Sequence, residues 1–173
     1  MLFRSLSDQK AKGFDNLNVL LFKTACKEIS ISLTFIFNLS ISTGIFSALW
    51  KISKIPPVFK SGSKQDIDNY RPISVLSVLS KILERHVAKH LMDFFAREKI
   101  LNSAQFGSRP NLSCETLLIR LTNTWLRCIV NGELVGMLLV DFKKAFDLID
   151  HDLLLKKLHS YGITCTAYKW FDT

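Results

Sequence analysis

Hydrophobic positions recur at helical spacing in several stretches of this chain and run unbroken in one. Asn16 or Asn18 is placed to cap a helix over 17–28, with Leu17, Leu20, Leu21, Thr24 and Ala25 as its apolar stripe. A second predicted helix covers 30–42 and stops near Gly44. From Trp50 to Lys60 the period changes. Trp50, Ile52 and Lys54 fall on one face and the prolines at 56 and 57 forbid helix, so extended chain is expected. Ser61-Gly-Ser-Lys64 reads as a turn, Asp66 to Tyr70 as a polar loop, and Arg71 to Leu76 as another extended piece. The longest predicted helix spans 78–99. Its apolar face is Leu79, Ile82, Leu83, Val87, Leu91 and Phe94, with Lys81, Arg85, Lys89 and Arg97 largely elsewhere. Ser113 is placed to cap a helix over 114–130, with Thr116 where a capping box needs its second partner. The unbroken run, Gly136-Met-Leu-Leu-Val140, predicts a strand over 134–142. Asp152 caps a last predicted helix from Leu153 to Tyr161, which Gly162 ends, and Trp170 and Phe171 are expected to lie uncovered.

Composition adds a partner class. The chain has 173 residues, 48% of them hydrophobic, enough for one domain with a sizeable core. Lys and Arg number 23 against 15 acids, a net charge of +8 that favours nucleic acid, an anionic membrane surface or acidic partners. No charge falls between Glu28 and Lys51, a length that raises the question of a membrane span. Ser30, Ser32, Thr34, Asn38, Ser40, Ser42 and Thr43 make that transfer unfavourable, and a buried helix is expected. Arg4, Asp8, Lys10 and Lys12 interrupt the first apolar residues, so no signal peptide is expected; the localisation read from this is cytoplasmic or nuclear, with no membrane partner. The four cysteines fit no zinc spacing and read as reduced thiols. His86 and His90 stand at i, i+4, but no Glu or Cys completes a metal site, and a solvated helix face is expected.

The chemistry concentrates where the apolar run meets Asp141. A carboxylate after such a run is, taken alone, a common strand end facing water. Phe146 alone reads as a core aromatic between strand and helix, and Lys60 and Lys64 alone as solvated charges. The pattern as a whole is denser: Asp141-Phe-Lys-Lys-Ala145-Phe146-Asp147, followed by Ile149-Asp150-His151. This stretch resembles the first catalytic motif of reverse transcriptases in the form carried by non-LTR (LINE-type) retrotransposons. Asn69-Tyr70-Arg71-Pro72-Ile73-Ser74-Val75-Leu76 and Ser80-Lys81-Ile82-Leu83-Glu84 resemble the fingers motif of the same elements. Gln105-Phe-Gly107-Ser-Arg109-Pro-Asn-Leu-Ser113 resembles the block after it, with Ser108 where the family usually has an aromatic. Ala11-Lys-Gly-Phe-Asp15, Ile36-Phe-Asn38, Gly44 and Trp50-Lys51 are similar to the family's amino-terminal extension.

The resemblance implies an α+β fold, a partial right-hand polymerase of mostly helical fingers with the first palm strand and helices. Fingers and extension would cover 1–133 and an incomplete palm 134–173. It implies RNA-directed DNA synthesis, with an RNA template, a DNA primer and dNTP as partners and no small-molecule cofactor. Asp141 and the backbone carbonyl of Phe142 would hold catalytic Mg2+, Arg71, Lys60 and Lys64 the triphosphate, Phe146 the sugar, and Gln105, Gly107 and Arg109 the template. Asp147, Asp150 and His151 would begin the following helix and form hydrogen bonds. A two-ion mechanism takes two or three carboxylates, and no Asp-Asp pair occurs in the sequence. The expectation is therefore a fragment whose two-metal site is incomplete and which does not polymerise alone. The alternative is a non-catalytic basic remnant that binds RNA or RNA–DNA duplex.

Overall fold

A computed structural model of the chain describes residue 7 and residues 11–142 and 145–173. Arg4, Asp8 and Lys10, named above against a signal peptide, and Lys143 and Lys144 of the Asp141 motif lie outside the described residues. The elements in order are α1 (Val19–Thr24), α2 (Cys26–Thr43), α3 (Ala48–Lys51), β1 (Pro57–Phe59), β2 (Tyr70–Pro72), α4 (Val78–Arg97), α5 (Cys114–Val130), α6 (His151–Ser160) and α7 (Cys165–Asp172). The chain divides into two compact units, 1–92 with 151–173, and 93–150.

In the first unit Asn18 caps α1, its side chain accepting from the Leu20 N–H. Of the expected stripe Leu17 packs against the core, but the residues buried behind that cap are others. Val19, Phe22 and Cys26 are buried with Val78 and Ile82 of α4, and Ile29, Leu33 and Phe37 pack against them. Leu20 and Leu21 stay more than half exposed. Both faces of α1 carry leucine-sized residues, so periodicity does not choose between them; packing on α4 does. The 3-4-3-4-4 spacing of residues 19, 22, 26, 29, 33 and 37 is one continuous stripe, and the turn between the helices falls at Ala25 within it, not near residue 29. The uncharged part of α2, after Glu28, is also not buried all round: Ile31 is 81% exposed and Phe35 68%. Among the described residues no helix is long and apolar enough to cross a membrane.

Gly44 ends α2 in the left-handed region (φ 68°), and the Ile45 N–H closes the last turn onto Ser40 O at 3.1 Å. Trp50 and Lys51 close a single helical turn in α3, where extended chain was expected. Trp170 and Phe171, expected to be uncovered, form α7 instead. Trp170 is buried, its Nε1–H donates to Ser40 Oγ at 3.1 Å, and Ser40 Oγ donates to Ile45 O at 2.6 Å. Phe46 meets Trp170 edge to face at 5.1 Å and Trp50 at 5.6 Å. The end of α2 is what covers the indole, a contact across 130 positions that no local pattern announces.

α4 starts where Ser77 Oγ accepts from the Ser80 N–H at 3.2 Å. Ile82 and Leu83 are fully buried, as their spacing predicts, but so is Ser80, whose hydroxyl donates to Glu84 Oε1 at 2.6 Å. In the second unit α5 has its full capping box. Ser113 Oγ accepts from the Thr116 N–H, and Thr116 Oγ1 accepts from the Ser113 N–H. α6 begins at His151, which puts Asp152 in its first turn. Gly162 follows its end at φ 93°.

The strand expected over 134–142 is absent. These residues pair with no strand and are exposed along their length. A strand exists only when a neighbour takes its N–H and C=O groups. Among the described residues the sheet has two strands, β1 and β2, and neither serves 134–142.

Candidate nucleotide and metal site

Residues 54–60 and 69–75 form one antiparallel hairpin in a single register. Val58 stands opposite Arg71 and Phe59 opposite Tyr70, the Lys60 N–H donates to Asn69 O at 2.8 Å, and Lys54 bridges Val75. Side chains alternate across a pleated pair, so Lys54, Val58, Lys60, Asn69 and Arg71 share one face. Phe59 and Tyr70 share the other, ring to ring at 5.5 Å. Lys60 and Arg71 are diagonal neighbours on the first face and both are exposed. Lys64 stands on the aromatic side, its Nζ 5.9 Å from the Phe59 ring centroid.

The hairpin's tip is fastened by short polar bonds. Asn69 Nδ2 donates to Ser63 O at 2.9 Å and the Tyr70 hydroxyl to Lys64 O at 2.8 Å. Asp66 caps the turn of 3-10 helix Ile67–Asn69, its Oδ1 accepting from the Asp68 N–H at 3.0 Å. Gly62 sits at φ 90°, where a Cβ would come within 2.8 Å of the Asn69 amide. At the base Lys54 Nζ donates to Asn16 Oδ1 at 2.6 Å. Lys60, Lys64 and Arg71 are thus brought onto one rigid element. From the sequence Lys54 was read only as part of an extended face and Phe59 was not singled out; the alternation on either side of the double proline carried both.

Gln105, Gly107 and Arg109 lie in the second unit, in a loop that folds on itself. Arg109 Nη1 donates to Asn102 O at 3.1 Å, and Gln105 Nε2 to Gly107 O at 3.3 Å. Arg109 is partly buried, and part of its guanidinium is spent holding the loop. Ser108, which stands where the resembled motif has an aromatic, is left-handed at φ 57°. Arg120 braces the loop from α5, with its guanidinium 5.7 Å from the Phe106 ring and Nη1 donating to Ser103 O at 3.2 Å.

Asp141 and Phe142 stand on the unpaired segment and Phe146 in the turn after it, 90% exposed, not between a strand and a helix. Magnesium takes hard oxygen ligands in octahedral geometry. Asp141 offers one carboxylate and Phe142 one carbonyl, on backbone that no ladder fixes. Among the described residues no three His, Cys, Asp or Glu side chains converge on a point that could hold an ion. The donors are of the right kind and too few, so these residues do not by themselves fit a two-ion centre.

Comparison with known proteins gives this arrangement its context. The family described as reverse transcriptase (RNA-dependent DNA polymerase) matches residues 60–172. The chain is 33% identical over 156 residues to the probable RNA-directed DNA polymerase from transposon BS of Drosophila melanogaster. It is 32% identical over 157 residues to the RNA-directed DNA polymerase from mobile element jockey of the same fly. Each match covers 90% of this chain and 17% of the relative, so the chain spans about one sixth of those relatives' length. A putative COX1/OXI3 intron 1 protein of Saccharomyces cerevisiae is 33% identical over 91 residues, 53% of this chain.

Proposed function

The chain belongs to the reverse transcriptase family, and from that premise we propose that it supplies the fingers and the first part of the palm of an RNA-directed DNA polymerase of a non-LTR retrotransposon. In this reading 1–133 are fingers and extension and 134–173 are palm. The observation that carries it is the hairpin's single register, which sets Arg71 and Lys60 as diagonal neighbours on one exposed face. Arg71, with a planar fork of donors, takes the triphosphate oxygens of an incoming dNTP in pairs; Lys60 adds a point charge. Lys64, on the aromatic side, adds a looser contact. Phe146 lies against the sugar and excludes a 2′-hydroxyl, and Gln105, Gly107 and Arg109 face the template. Magnesium supplies Lewis acidity to phosphoryl transfer in this family, and Asp141 with the Phe142 carbonyl would be among its ligands.

Binding of a fluorescent dNTP, read by anisotropy, tests the carrying observation. A charge-assisted hydrogen bond is worth about 1.5–3 kcal/mol, so Arg71→Ala is expected to weaken binding by roughly tenfold or more. Equal affinity in wild type and Arg71→Ala overturns the assignment. One carboxylate does not position two ions, so the 173-residue chain is expected not to extend oligo-dT on poly-rA. Extension that Asp141→Ala abolishes overturns that part.

The net charge of +8 favours a second reading, a basic module that holds RNA or RNA–DNA duplex without catalysis. Its mark is affinity that falls by about one log unit per log unit of salt for each duplex phosphate neutralised. Salt-insensitive binding counts against it.

A further inference from the structure

Two histidines on α4 play no part in the polymerase reading. His86 and His90 are one helical turn apart, so their side chains leave the same face. Their ring centroids are 4.6 Å apart with the planes at 75°. Two histidines at i, i+4 are the pair with which a helix grips a metal ion. With metal–nitrogen bonds of about 2.1 Å, two imidazoles on one ion place their centroids roughly 4.6–5.3 Å apart, so these rings are already close enough to share one.

We propose that His86 and His90 form a two-imidazole chelate for a divalent transition-metal ion, with water in the remaining positions. Both ligands sit on one rigid helix, so little conformational entropy is lost on closing the chelate. His90 is exposed, and a turn about its side-chain torsions completes the geometry. His86 is partly buried. No third side chain joins them among the described residues. The ion therefore stays open to water, and its affinity is that of a chelate and not of a closed structural site. The other two histidines, His151 and His159, stand eight positions apart in α6, about 12 Å along its axis. His159 is engaged edge to face with Tyr168 at 5.6 Å.

Isothermal titration of the full chain with NiCl2 under reducing conditions tests this. His90→Gln changes an exposed side chain and leaves the core intact; far-UV circular dichroism checks that, and His86→Gln is the second variant. Each is expected to weaken Ni2+ binding at least about tenfold, the loss of one of two ligands. Lys89→Ala, which removes a neighbouring positive charge, is expected to tighten it. Ni2+ is expected to raise the melting temperature of the wild type and not of His90→Gln. Unchanged Ni2+ affinity in His90→Gln places the bound ion elsewhere and overturns the proposal. So does an absence of Ni2+ binding at millimolar metal.

Discussion

The start of α4 and the segment 134–142 are both rich in large apolar residues, and their fates are opposite. Leu83 is fully buried, whereas Leu138 is 87% exposed. A helix satisfies its own backbone, so α4 needs only one covered face, which α1 and α2 supply. An extended segment satisfies nothing alone, and its burial waits on a neighbouring strand. An apolar run therefore states a demand for burial, and whether the demand is met depends on who else is present.

The largest expected effect probes the covered side of that contrast. Trp170→Ala removes a buried indole together with its hydrogen bond to Ser40, and should cost about 3–5 kcal/mol in denaturant unfolding. A loss within about 0.5 kcal/mol, the size of an ordinary surface change, would mean that α7 does not hold the end of α2. Leu83→Ala should cost about 2–5 kcal/mol, while Leu138→Ala and Leu139→Ala should stay within about 0.5 kcal/mol. Hydrogen exchange should agree, with protection over 78–97 and fast exchange over 134–142. A Leu138→Ala as damaging as Leu83→Ala would break the comparison outright.

A smaller effect sharpens it. Gly44→Ala forces a side chain into φ 68° and brings its Cβ within 2.9 Å of the Thr166 carbonyl, an expected loss of about 1–3 kcal/mol. Gly132 is also left-handed, at φ 76°, but has open space around it, so Gly132→Ala should cost less in the same melt. Equal losses would say that strain, not the contact with α7, governs Gly44.

The smallest effect is electrostatic. His86 has its imidazole held below the ordinary value of 6.5 by burial and then by His90 and Lys89. The unfolded chain therefore takes up its proton first as pH falls. This contribution to stability is complete above pH 6.5 and is lost as pH drops through 6.5 toward the folded value. The loss is modest because His86 is only partly buried. His86→Gln should flatten the slope of melting temperature between pH 7 and the acid side of 6.5, and an unchanged slope would assign it to other groups.

The sequence alone determined the features that depend on near neighbours. Ser113 and Thr116 announced their capping box, Gly44 and Gly162 their helix ends, and the double proline its extended chain. Each is settled within about one turn by sterics or a single hydrogen bond. The hairpin's two halves were legible as extended pieces around a turn, and Lys60, Lys64 and Arg71 as its candidate residues. Tertiary structure decided which residues of each element are used. It chose Val19 and Phe22 over Leu20 and Leu21, because α4 presents its own Val78 and Ile82 to that side. It admitted Ser80 to the core because Glu84 is one turn away to accept its hydroxyl. It covered Trp170 with the far end of α2, and it sorted the hairpin's cations and aromatics by register. It left Asp141 without a ladder, because a strand is a property of two segments and the pattern of one records only half of it.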